Sequence, residues 1–191
     1  MLDRRTRILD AAIAIVGEGG TRSLTHRGVD RRLQLPDGST SNYFRTREAL
    51  LDAAVDRLLE LDRATLTDIH SGFENLDDAA LARGIAEYAV RLCRPGRIVR
   101  TRARFALTLV YPDRLGSLLE EWVKLGVESL GAHGIRAPES ATKALLAYTD
   151  GVMLQAIVAS GGDGLELERA EIAANVLTLL SERHSSEQVT G

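Results

Sequence analysis

Residues 24–50 read LTHRGVDRRLQLPDGSTSNYFRTREAL, and this stretch decides the fold. Thr25 is a good N-cap for a short helix whose Val29 and Leu33 face inward. Gln34-Leu35-Pro36-Asp37-Gly38 is rich in turn formers and breaks that helix. Ser39-Thr40-Ser41-Asn42-Tyr43-Phe44 is short and polar until its last two residues. Thr46 suits the cap of the next helix, and Glu48 in its first turn suits the helix dipole. Upstream, Ile8, Leu9, Ala12, Ile15 and Val16 recur at i, i+1, i+4, i+7 and i+8, one face of a helix, with Gly17, Gly19 and Gly20 expected to end it. Three short helices, the last two joined by a tight turn, form a helix-turn-helix candidate. Its first helix is an amphipathic brace. Its third presents Ser39, Thr40, Ser41 and Asn42, small enough to enter a major groove, with Phe44 as an apolar anchor. Arg27, Arg31, Arg32, Arg45 and Arg47 surround it, where they can meet phosphates.

Charge agrees with that reading. The 191 residues carry a formal net charge of −3. Residues 1–50 hold nine arginines against six acids, a local +3, and residues 51–191 are correspondingly acidic. A basic end on an acidic body points to a polyanion at that end. With 45% hydrophobic and 27% charged residues the chain reads as globular rather than disordered. Four prolines and 4% aromatics speak against a sandwich or barrel. Arginine outnumbers lysine 22 to 2, a bias that says little about function.

The remainder is also helical by periodicity: residues 46–61, 76–93, 98–110, 115–130, 139–160 and 166–183, about nine helices in all. Arg94-Pro95-Gly96 and Tyr111-Pro112 are breaks, Gly131 and Gly134 close the 115–130 helix, and Pro138 opens the next. Gly161-Gly162-Asp163-Gly164 joins the last two. The expected class is all-α: a helix-turn-helix domain at 1–50, a second helical domain at 51–185 and a flexible tail at 186–191.

The run Ile8-Leu9-Asp10-Ala11-Ala12, then Gly19, Leu24-Thr25, Val29, Leu35, Gly38-Ser39, Phe44 and Thr46-Arg47-Glu48-Ala49-Leu50 resembles the DNA-binding domain of the TetR (tetracycline-repressor-type) family of transcriptional regulators. The spacing from Thr25 to Phe44 matches that family's pattern without a gap. The resemblance covers roughly residues 5–55; beyond it the match is of architecture only, a helical ligand-binding and dimerisation domain. It departs from the pattern at Ser41, where the family usually has tyrosine, at Tyr43, often histidine, at Gln34, usually glycine, and at Arg47, usually lysine. The resemblance implies phosphate contacts from Thr25, Ser41, Tyr43 and Arg47. It implies base-edge contacts from Arg27, Ser39 and Asn42, with Thr40 as a further candidate. Arginine suits guanine and asparagine suits adenine, each good bidentate pair discriminating by about 1–3 kcal/mol. Asp37 is awkward beside phosphate; it either caps the recognition helix or reads a cytosine amine.

Helices 139–160 and 166–183 are apolar over more than one face, so each needs burial on more than one side. Leu145, Val152 and Ala156 line one, and Ile172, Val176 and Leu179 the other. Doubled by a two-fold axis they would make a four-helix bundle, the dimer interface that the resemblance implies. A dimer would read a palindromic operator in double-stranded DNA. The resemblance also implies a pocket for an unknown small-molecule effector in the middle helices. There Tyr88, Phe105, Trp122 and Tyr148 are either its lining or plain core. Asp150 either bonds an effector or is satisfied at the dimer interface. Arg97, Arg100, Arg102 and Arg104 either meet an anionic effector or form a solvated face paired with local acids.

No catalytic constellation is present. His26, His70, His133 and His184 show no metal or triad spacing, and Cys93 stands alone. The expectation is therefore no enzyme, no metal and no cofactor. Asp10 and Glu18 spoil the N-terminal stretch as a targeting segment, and Asp150 and Gln155 interrupt the longest apolar run, so a cytoplasmic protein without a membrane span is expected. The leading reading is a homodimeric regulator, a repressor released from its operator by the effector. The alternative is a helical protein-interaction module with only non-specific DNA affinity.

Overall fold

The computed structural model describes residues 3–72, 77–160 and 167–181. Among them are eight α-helices: α1 (Arg4–Gly19), α2 (His26–Arg32), α3 (Arg47–Gly72), α4 (Asp78–Cys93), α5 (Ile98–Thr108), α6 (Pro112–Ala132), α7 (Pro138–Ala159) and α8 (Arg169–Ser181). Two three-residue 3-10 turns, Thr21–Ser23 and Thr40–Asn42, complete the set, and none of these elements is a strand. The ninth helix expected at 39–44 is the second of these turns. Four small polar residues between Gly38 and Tyr43 have too little helix propensity for more than a turn. The expected glycine loop at 161–164 and the tail at 186–191 lie outside the described residues, as does Leu76.

The chain packs as two units, Met1–Ala64 with Val99–Gly116, and Thr65–Ile98 with Ser117–Gly191. The first therefore takes in more than residues 1–50: α3 as far as Ala64, α5 from Val99 and the start of α6 belong to it. In α1, Asp3 caps the helix by accepting from the Thr6 amide at 2.7 Å. Ile8, Leu9, Ala12 and Val16 are buried as the periodicity requires, while Ile15 is half-buried. Gly17 does not end the helix. It is buried, and a Cβ there would overlap the Val99 carbonyl, so glycine is what lets α1 meet the start of α5. The helix stops at Gly20, whose φ of 77° lies in the left-handed region.

The second unit has a continuous core. Leu81, Ala82, Ala86 and Val90 of α4 pack with Leu130 of α6, with Ile135 between α6 and α7, with Ala141 and Leu145 of α7, and with Ile172, Val176 and Leu180 of α8. Arg169 at the start of α8 reaches Glu87 of α4 at 2.8 Å, and Arg94 shares the same carboxylate at 3.4 Å. α8 thus turns its apolar stripe onto α4 within one chain. This corrects the sequence reading of the interface. Leu145, Ile172 and Val176 belong to this core, Ala156 is 1% exposed, and Val152 and Leu179 are partly buried against the same cluster. A helix that is apolar on two sides spends its more apolar side inside the protomer, and periodicity alone does not tell the two sides apart.

Candidate nucleic-acid interface

The helix-turn-helix is built from its caps outward. Thr25 Oγ1 accepts from the Gly28 amide at 3.0 Å and opens α2. At the other end of α2 the Gln34 amide donates to Arg31 O at 3.2 Å and the Leu35 amide to Asp30 O at 2.9 Å. That pair of bonds is a Schellman motif, and it requires a left-handed residue at its centre. Gln34 supplies it with φ 55°. The departure from glycine at this position is therefore a glutamine held in a conformation that disfavours a side chain.

The recognition turn is anchored from below by a residue the sequence reading passed over. Asp30, 1% exposed, accepts from the Gly38 amide through Oδ2 at 2.9 Å. Its Oδ1 accepts from the Thr40 amide at 2.8 Å and from Thr40 Oγ1 at 2.6 Å. The signal for Asp30 was present: it stands next to Val29 on the inward side of α2, where an acid must find donors. Asp30, not Asp37, caps the turn. Asp37 is exposed and pairs loosely with Arg27 at 3.7 Å, both side chains 75% exposed. Such a pair is worth little and opens readily toward another partner.

Thr40 must be withdrawn as a base contact. It is fully buried with its hydroxyl committed to Asp30. With Thr40 pointing in, the exposed face carries Ser41, Asn42 and Tyr43, with Ser39 half-buried beside them. The Ser39 hydroxyl donates to Pro36 O at 2.6 Å. Thr25 is exposed, and its hydroxyl proton is available while its oxygen caps α2. Phe44 is buried as the anchor, and its carbonyl accepts from His26 Nε2 at 2.6 Å. Arg5 of α1 stacks over the Phe44 ring with its guanidinium carbon 5.4 Å from the centroid, which brings one more positive charge beside the turn. Arg27, Arg31, Arg32 and Arg45 are exposed, Arg32 in a two-pronged ion pair with Glu18 at 2.7 and 2.8 Å. Arg47 behaves differently. It is half-buried, and its guanidinium donates to Leu24 O at 3.0 Å and to Thr21 O, strapping the start of α3 to the end of the first 3-10 turn. Thr46 caps α3 as expected, accepting from the Ala49 amide at 3.1 Å.

Deeper in the same unit, Asp62 of α3 is 6% exposed and its Oδ2 has no hydrogen-bond partner. Burial pushes its pKa above the ordinary carboxylate range, against the opposing pull of Arg104 and Arg100 on α5. Those two arginines of the basic run thus face a local acid, and Arg104 also stacks over Phe105 at 5.4 Å.

The expected pocket residues divide between the two units. Phe105 belongs to the first unit. In the second, the rings of Tyr88 and Trp122 meet at 5.5 Å, tilted by 40°. Tyr148 instead spends its hydroxyl on α8, accepting from Asn175 Nδ2 at 2.9 Å. Asp150 is half-buried on α7, and Cys93 is fully buried. Among the described residues no cluster of His, Cys, Asp or Glu could hold a metal ion, and no helix is long and apolar enough to cross a membrane.

No protein-family model and no curated protein sequence matches the chain. Solved structures do. A TetR-family member from Streptomyces coelicolor matches with TM-score 0.70 at 24% identity, covering 94% of this chain and 99% of that one. A transcriptional regulator from Rhodococcus sp. Rha1 matches with TM-score 0.68 at 18% identity, covering 99% and 100%. The multidrug binding protein EbrR, complexed with ethidium, matches with TM-score 0.63 at 26% identity, covering 93% and 98%. The fold is that of the TetR-type transcriptional regulators.

Proposed function

We propose that the chain is a DNA-binding transcriptional regulator, with residues 1–50 as its DNA-binding domain and residues 51–185 for effector binding and dimerisation. The observation that carries this reading is the recognition turn. Ser41, Asn42 and Tyr43 stand exposed on a buried anchor, inside a rim of arginines, on a TetR-type fold. Arg27, Ser39 and Asn42 read base edges, and Thr25, Ser41, Tyr43 and the neighbouring arginines hold phosphates. Arg47 contributes by tying the start of α3 to the Thr21–Leu24 segment that leads into α2, with its remaining donors toward the backbone of the DNA.

The regulator acts as a homodimer on a palindromic operator. With Leu145, Ala156, Ile172 and Val176 buried in the protomer and Val152 and Leu179 partly so, the face left for a second copy is the opposite side of α7. Ala147, Gly151, Leu154 and Val158 recur there at i, i+4, i+7 and i+11, and Leu154 and Val158 are 49% and 75% exposed. Ala174 and Thr178 are exposed small residues on α8 that suit a close helix crossing. Repression released by a small molecule follows from linkage. An effector that binds the DNA-incompetent state more tightly shifts the dimer off its operator. EbrR is complexed with ethidium, and the Tyr88–Trp122 ring pair is suited to a similarly flat aromatic effector here. The protein works in the cytoplasm, where the operator is.

The test is binding of the purified protein to duplexes enriched from a random library, against a scrambled duplex, at two salt concentrations. Binding tighter than the control by about 10³ or more supports the regulator. Arg27→Ala with Asn42→Ala then removes the preference while the fold persists. Weak binding, equal on both duplexes and abolished by modest salt, favours the protein-interaction module instead.

A further inference from the structure

We propose that Asp30 is the positioning residue for base readout: it never touches DNA, and it sets the orientation of the side chains that do. This rests on the DNA-binding reading above and deepens it. A carboxylate that is 1% exposed must have its charge met by donors. All three donors come from the recognition segment, eight and ten residues further along: the Gly38 amide, the Thr40 amide and the Thr40 hydroxyl. Both carboxylate oxygens are used.

The placement of these donors is what matters. Gly38, with φ 88°, turns the backbone into the recognition segment, and Thr40 is the first residue of the 3-10 turn. One bond holds the entry and two hold the first residue. Three residues of 3-10 structure have little stability of their own, because a single turn does not repay its nucleation. The turn's rotation about its axis is therefore dictated by where Thr40 is pinned. With Thr40 drawn inward, Ser41 and Asn42 are carried outward together. The lower edge of the clamp continues into α2, since Asp30 O also closes the Schellman motif. One residue thereby couples the helix that crosses the DNA backbone to the turn that reads bases.

Phosphate contacts tolerate a loosened turn, whereas base contacts need atoms held to a fraction of an ångström. Asparagine at position 30 is the informative replacement. It matches the volume but turns an amide group toward one of the three donors, so one end of the clamp opens. Asp30→Asn is expected to keep the helical content and the affinity for a scrambled duplex within twofold. Its preference for the library-enriched duplex falls at least tenfold, the loss of about one good base contact. Amide exchange at Gly38 and Thr40 speeds up in the same variant. Should Asp30→Asn fail to fold, Thr40→Val serves, because it keeps both main-chain donors and the volume and deletes only the hydroxyl bond. It is expected to lower the preference severalfold in a folded protein, while Thr40→Ser retains it. An unchanged preference in the folded variants would overturn the proposal. So would equal losses on both duplexes in step with the unfolded fraction, which is the mark of a merely structural residue. A wild-type protein that binds both duplexes equally would overturn the DNA-binding reading and this inference with it; a wild type with preference and variants without loss would overturn this inference alone.

Discussion

Replacing Gln34 by glycine should stabilise the protein. Gln34 sits at φ 55° between α2 and the recognition turn, and its side chain is exposed. A left-handed conformation costs an L-residue about 1–2 kcal/mol. Glycine removes that cost but brings back about 0.5–1 kcal/mol of unfolded-chain entropy. No buried contact is lost, and the Gln34 and Leu35 amides keep their bonds to Arg31 and Asp30. The net gain is about 0.5–1 kcal/mol. In a chain of 191 residues each kcal/mol raises Tm by about 2–4 °C, so a rise of about 1–4 °C is expected. The assay is thermal unfolding of wild type, Gln34→Gly and Gln34→Ala side by side. Alanine keeps the strain and should differ from wild type by less than about 0.5 kcal/mol. A glycine variant no more stable than the alanine variant would refute the reasoning, because strain relief would then not exceed the chain entropy that glycine brings back.

Gly17→Ala should destabilise in the opposite way, since its Cβ meets the Val99 backbone rather than a flexible side chain. Overpacking of this kind costs about 1–3 kcal/mol, read as a lower denaturant midpoint. Asp62→Asn should raise Tm at neutral pH. Burial raises the folded pKa of Asp62, so the folded state favours the protonated form. Its contribution to stability is present at low pH and is lost as pH rises through the folded pKa. The variant should flatten that part of the pH–Tm profile, and a parallel profile would contradict the assignment. Val158→Asp with Leu154→Asp should give a folded monomer by light scattering. Ile172→Ala, in the protomer core, should instead cost about 2–5 kcal/mol of stability.

Much of this protein was legible in the order of its residues. The caps at Thr25 and Thr46, the break after α2, the inward Val29 and Phe44 and the all-helical body are local or periodic features, and local features are written in short stretches of chain. What only the tertiary structure decided has a common physical cause: it depends on which of two competing partners a group finds. Gly17 reads as a helix end and is a close approach. Arg47 reads as a phosphate contact and holds two of its own chain's carbonyls. Thr40 reads as a base contact and lies beneath the turn on Asp30. The stripes Leu145–Val152–Ala156 and Ile172–Val176–Leu179 read as a dimer face and are packed in the protomer. A side chain's chemistry is fixed by its type, but burial and hydrogen-bond partners are set by residues ten or eighty positions away, and these decide whether that chemistry faces solvent or core.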